Sequence, residues 1–143
     1  MRRRTLASFL RHAAFLLVNG WAAFACAQSD ADVTTKRLFE QERWQQLVGL
    51  APTVALHSAE FEYEYGVALG HLERWDEARA ALTAGSRLAP QDKRFPIELA
   101  GVAFKQKKQG LAIAHLRRAL RLDPKDAYSN EFIATLYFLQ GNV

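Results

Sequence analysis

The residues able to do chemistry are few in this chain of 143 residues, and their spacing assigns them to no reaction. His57, His71 and His115 stand at no ligand spacing with one another or with a carboxylate, and no His-Glu-x-x-His helix is present. They read as ordinary surface or seam histidines. Glu60, Glu62 and Glu64 could supply paired carboxylates for general acid and base work, but at helical spacing Glu60 and Glu64 share a face while Glu62 points elsewhere. A solvated helix face accounts for all three. No glycine-rich phosphate loop occurs, and no serine or cysteine sits in a nucleophile motif. The sequence therefore presents no enzyme active site and calls for no metal and no cofactor. Lys105, Lys107 and Lys108, followed by Arg117, Arg118 and Arg121, could meet anionic lipid or a phosphorylated polymer, but they read more simply as a charged face that keeps the protein soluble.

The elements that position these side chains declare themselves through a repeat. Ala59 to Asp92 and Lys93 to Asp126 are two blocks of 34 residues that align without a gap: Gly66 falls on Ala100, Leu69 on Ala103, Ala78 on Ala112, Leu82 on Leu116 and Gly85 on Ala119. Arg87-Leu88-Ala89-Pro90 answers Arg121-Leu122-Asp123-Pro124. Small side chains let two antiparallel helices approach closely, leucines at helical spacing fill the seam, and a proline that cannot continue the helix ends the second one. That spacing predicts first helices near 59–72, 94–107 and 127–140 and second helices near 76–88 and 109–121. Asp92 and Asp126 are placed to cap the helices that follow them, and Pro96 falls in a first turn, where its missing amide proton costs little. No stretch alternates with a period of two, so the fold class is all-α.

A period of 34 with this pattern resembles the tetratricopeptide repeat family. In that pattern large apolar residues are expected at positions 7, 11 and 24, small ones at 8, 20 and 27, and proline at 32. Tyr65, Gly66, Leu69, Ala78, Leu82, Gly85 and Pro90 match in the first block, and Leu99, Ala100, Ala112, Leu116, Ala119 and Pro124 in the second. Glu62 and Pro96 depart from the aromatic often found at position 4, and Ala103 is small where a large ring is preferred. A third copy begins at Ala127, with Ile133, Ala134 and Tyr137 in register and Gly141-Asn142 where the turn between its helices belongs, and occupies 127–143 as a first helix only. The resemblance implies a right-handed superhelical stack of antiparallel helix pairs. Its first helices would line a concave groove through positions 2, 5, 9, 12 and 13, here Tyr63, Val67, His71, Arg94, Ile97, Phe104, Lys105, Tyr128, Phe138 and Leu139. An apolar, aromatic concavity of this kind marks a site for another polypeptide or for another part of the same chain. The family's lysine and asparagine clamp for a C-terminal carboxylate is absent, since positions 5 and 9 hold Tyr63, Val67, Ile97 and Gly101.

Upstream, Glu42-Arg43-Trp44 repeats as Glu73-Arg74-Trp75, which sets a weaker first repeat over residues 28–58 and places Trp44 and Trp75 at the opening of second helices. Ser29-Asp30-Ala31-Asp32 offers a hydroxyl cap with a carboxylate three residues on, Thr34 and Thr35 stand at positions that should be packed, and Pro52 shortens the second helix. This repeat is expected to be a polar end cap, as terminal repeats of solenoids are. Residues 1–27 carry Arg2, Arg3, Arg4 and Arg11 with no acid, an apolar run from Ala13 broken at Asn19-Gly20, and Ala25-Cys26-Ala27. A basic start, a short apolar centre and small residues at the end form a secretory signal peptide cleaved after Ala27, with export to a bacterial periplasm or cell envelope expected and membrane contact only through this leader. Its removal takes four of the 19 basic residues, none of the 15 acidic ones and the only cysteine, leaving no formal net charge and no disulfide. That balance argues against nucleic acid as a partner. The reading that results is an exported scaffold binding a protein or peptide through its concave groove; the alternative is an N-terminal docking arm of a larger envelope enzyme or membrane-assembly protein whose working domain lies beyond Val143. The uncovered stripe Ile133, Ala134 and Tyr137 would fray or promote self-association.

Overall fold

The structure, a computed structural model, describes residues 32–54 and 56–141. The leader, the start of the first repeat at Gln28 and the Ser29 cap lie outside the described residues, as does Asn142. Helix α1 runs through residues 32–40, followed by α2 (Trp44–Leu50), α3 (Ala59–His71), α4 (Trp75–Leu88), α5 (Arg94–Lys105), α6 (Gln109–Leu122) and α7 (Ala127–Leu139). The described chain is all-helical, in agreement with the sequence reading, and the helix ends fall within two residues of those expected. Pro52 acts as anticipated: α2 stops at Leu50 and the chain tightens into a 3-10 turn, Ala51–Thr53.

Local signals explain the ends. The Ser58 hydroxyl accepts from the Phe61 amide at 3.0 Å and Asp126 accepts from the Ser129 amide at 2.9 Å, so α3 and α7 begin on side-chain caps. Asp92 departs slightly from its expected role, accepting from the Arg94 amide at 2.9 Å, so that α5 opens on an amide only two residues beyond the acid. Helices α4 and α6 end at Leu88 and Leu122, and the residue after each, Ala89 or Asp123, is followed by a proline. Between the helices of a pair the backbone enters the left-handed region, at Glu42 (φ 54°), Glu73 (58°), Lys107 (59°) and Gly141 (70°). The same turn thus recurs at the same offset in all four units, and the next amide closes it each time it is followed by a second helix: Arg43 to the Leu38 carbonyl, Arg74 to Leu69 and Lys108 to Ala103, all at 2.9 Å.

Packing follows the repeat. Consecutive helices from α2 to α7 lie against one another, and α3 also touches α5, so first helices form one layer and second helices the other. Leu69, Leu82, Phe95 and Leu99 fill the seam around α3, α4 and α5, while Ala100, Ala112, Leu116 and Leu136 continue it toward α7. Leu38, Leu47 and Ala68 join the first pair to α3. Close approach depends on glycine: a Cβ on Gly66 would lie 2.6 Å from Leu82 Cγ, and one on Gly85 would overlap the buried Phe95 ring. Lys93 ties successive repeats together, its ammonium reaching Asp123 at 2.7 Å and Asp126 at 2.5 Å.

The solvated-face reading of the α3 acids is corrected. Only Glu60 is exposed; Glu62 and Glu64 are buried, at 7% and 4% exposure. Glu62 accepts from or pairs with His57 Nδ1 at 2.9 Å, and Glu64 lies beneath α1 beside Thr35, whose hydroxyl donates to the Asp32 carbonyl at 3.0 Å. The reason is tertiary: α1 covers Glu64, and Glu62 packs against α4, where its Cβ faces Gly85. The missing aromatic at position 4 is also explained: the ring sits one residue earlier, as Phe61 and Phe95, both fully buried. The stripe on α7 is covered more fully than expected, because Ile133 and Tyr137 pack half-buried against Ile113 and Leu116 of α6; Ala134 stays exposed.

Candidate functional site

The layer of first helices presents one continuous face built from α3, α5 and α7. Two adjoining depressions open on it. The larger, about 360 Å³, is lined by Val67, His71, Glu98, Gly101 and Lys105 and closed at one side by Glu73, Trp75 and Leu82 of the α3–α4 turn and α4, and the smaller, about 280 Å³, by Tyr63, Arg94, Ile97, Glu98 and Tyr128. The structure thus brings together seven of the residues expected to line a groove: Tyr63, Val67, His71, Arg94, Ile97, Lys105 and Tyr128. Phe104 stands next to them, edge-on to Phe132 at 5.6 Å, and Phe132 meets Tyr128 at 5.9 Å, so an aromatic row extends the smaller depression across α7. Phe138 and Leu139, 71% and 59% exposed near the end of α7, line neither depression.

Several of these side chains are already committed. Tyr63 is wedged between Phe39 at 6.2 Å and Phe95 at 5.8 Å, with the Arg94 guanidinium 4.5 Å above its ring. Arg94 grips Glu60 through both terminal nitrogens and also bonds Asp92, which leaves little of its charge for a guest. His71 stacks flat on Trp44 at 4.3 Å.

Glu98 is the site residue that the sequence reading passed over. It lines both depressions, stands half-buried between them, and accepts from the Tyr63 hydroxyl at 3.4 Å. Burial pushes its carboxyl above the ordinary carboxylate range, and the Tyr63 hydroxyl beside it pulls only part of the way back. Burial, reinforced by the Glu98 charge, raises the Tyr63 hydroxyl to about 12. To the residues expected there, apolar and aromatic with His71 and Lys105 among them, the floor adds a carboxylate. Helix geometry is the cause. Position 6 lies four residues from position 2, three from 9 and seven from 13, so it shares their stripe. Phe132 occupies position 6 on α7 and was missed for the same reason.

Among the described residues no group of three or more His, Cys, Asp or Glu side chains is placed to hold a metal ion. None of the described helices is long and apolar enough to cross a membrane.

The class of fold follows from this geometry and from its relatives in three dimensions. No protein-family model matches the sequence. No curated protein matches it either. Solved structures do. The TPR domain of Arabidopsis OM64 superposes with a TM-score of 0.71 at 15% identity, covering 77% of this chain and 93% of that one. SycD, the type III secretion translocator chaperone of Yersinia enterocolitica, gives 0.65 at 12% identity over 80% and 81% of the two chains. The TPR2AB domain of yeast Sti1, solved as a complex with pHSP90, gives 0.67 at 22% identity, covering 96% of this chain and 56% of that chain. The chain is therefore built as a tetratricopeptide-repeat solenoid, the architecture that its 34-residue period implied.

Proposed function

We propose that this protein is an exported, non-catalytic scaffold that binds an extended polypeptide along the face formed by α3, α5 and α7. The observation that carries the reading is the pair of adjoining depressions floored by Glu98 and continued by Tyr128, Phe132 and Phe104. Partly exposed aromatic rings in a concave surface offer large apolar area at low entropic cost to a partner. A structurally similar protein, SycD, has been solved with a peptide of the translocator YopD, at a TM-score of 0.62 and 13% identity, which supports peptide binding as a use of this architecture. Export rests on Arg2 to Arg4, the apolar centre and Ala25-Cys26-Ala27.

Two measurements test the two halves of this reading. A photo-reactive phenylalanine analogue placed at Ile97, in the smaller depression, should cross-link to other polypeptides in the producing cell, while one at the exposed Arg87 on α4 should not. Equal yields at both positions would remove the groove. Mass spectrometry of the mature protein should find Gln28 at its N-terminus; a full-length product held in the membrane fraction would remove export.

A further inference from the structure

Glu98 is the half-buried carboxylate shared by the two depressions; the unpaired Glu40, Glu42, Glu73 and Glu131 are solvent-exposed, Glu73 on the wall of the larger depression. Glu60 and Asp92 are paired with Arg94, Glu77 with Arg74, Asp76 with Arg79, and Asp123 and Asp126 with Lys93. Glu98 forms no ion pair among the described residues, although it stands half-buried where two depressions meet. Its polar contact is the Tyr63 hydroxyl at 3.4 Å. The guanidinium on the wall of the smaller depression, that of Arg94, is shared between Glu60 and Asp92, which leaves little of its charge for Glu98. The remaining walls of that depression are Tyr63, Ile97 and Tyr128.

A carboxylate set among aromatic and aliphatic walls has the chemistry that receives a long cationic side chain: the stem lies against the rings and the charged head meets the acid. We propose that Glu98 is the recognition point of the groove, which takes an extended polypeptide that sets a lysine or arginine against this carboxylate and an adjacent apolar or aromatic residue on Tyr128 and Phe132. This rests on the groove being the binding surface. It also accounts for the absent carboxylate clamp, because a groove with an acid at its floor selects the opposite charge. Burial leaves the Glu98 carboxyl above the ordinary range, and a guest cation would pull it back down.

The test is selection of a displayed random dodecapeptide library on the full chain, followed by affinity measurements on synthetic copies of the selected peptides. Selected sequences should be enriched in lysine or arginine beside leucine, phenylalanine or tryptophan. Glu98→Gln, which keeps the side-chain shape and whose folding is checked by circular dichroism, should weaken them about tenfold, as should replacing the peptide's basic residue with norleucine. The two losses should not add, since each removes the same pair. Enrichment without basic residues, or a norleucine peptide that binds as well, overturns the assignment of Glu98 while the groove reading stands, provided Tyr128→Ala with Phe132→Ala weakens binding. Peptides that ignore that double variant, or a library that yields none, overturn the groove and the Glu98 assignment together.

Discussion

Arg94 reaches back one full repeat to grip Glu60, its counterpart at the same repeat position, with nitrogen to oxygen distances of 3.0 and 2.7 Å. This bond holds α5 to α3 at the rim of the groove and keeps the guanidinium over Tyr63. Both side chains are about half exposed, so solvent screens most of the attraction. A double-mutant cycle on Arg94→Ala and Glu60→Ala should give a coupling of about 0.2–1 kcal/mol that shrinks as salt is raised. A larger coupling indifferent to salt would mean that the pair is buried in solution.

Gly85 and Gly101 should respond in opposite directions to the same substitution. A methyl at Gly85 meets the Phe95 ring and Glu62 Cβ, whereas nothing lies within 4 Å of the corresponding point at Gly101. Gly85→Ala should destabilise by about 1–3 kcal/mol through overpacking, and Gly101→Ala should stabilise by roughly 0.5–1 kcal/mol through helix propensity. Chemical denaturation of the two variants decides it; similar shifts would contradict the packing of α4 on α5.

Stability should depend on pH in two windows of opposite sign. Burial raises the carboxyls of Glu98 and Glu64, so each favours the folded state while protonated. Their contribution is full below the ordinary value near about 4.3 and is lost as pH rises through the raised values. Lys93, helped by the Ser129 amide, holds Asp126 down at about 2, so its contribution is full above the ordinary value and lost as pH falls toward about 2. Urea unfolding across pH should show Glu98→Gln flattening the upper window and Asp126→Asn the lower one. An unchanged upper slope in Glu98→Gln would place that carboxyl in water.

Helix α7 should be the most readily opened of the later helices. Gly66 and Ala100 are buried at a position where Ala134 is exposed, and Tyr128, Phe138 and Leu139 are each more than half exposed. Its amides should therefore exchange with solvent faster than those of α5 in dilute protein, and slow as concentration brings α7 faces together. Protection of residues 127–139 equal to that of 94–105 in a monomer would contradict this.

Much of the fold was legible because the repeat writes the packing directly: Ala112 and Leu116 meet the seam for the same reason as Ala78 and Leu82. The turn was legible in part. Gly141 advertises a left-handed residue, and Glu42, Glu73 and Lys107 adopt the same conformation without a glycine, a feature that only alignment at that offset reveals. The site was less legible because family positions were applied in place of helix geometry, so Glu98 and Phe132 were overlooked although they share the stripe with Arg94 and Tyr128. The burial of Glu62 and Glu64 depends on α4 and α1 lying against α3, which no local pattern encodes.

The central claim, that the face made by α3, α5 and α7 receives polypeptide, is tested most directly by amide NMR of the chain titrated with a peptide selected on it. The shifts should concentrate at Val67, Ile97, Glu98, Gly101, Tyr128 and Phe132 and leave Arg79, Arg87 and Arg118 on the second helices unmoved. Shifts centred on α4 and α6, with the Glu98 region silent, would contradict the account.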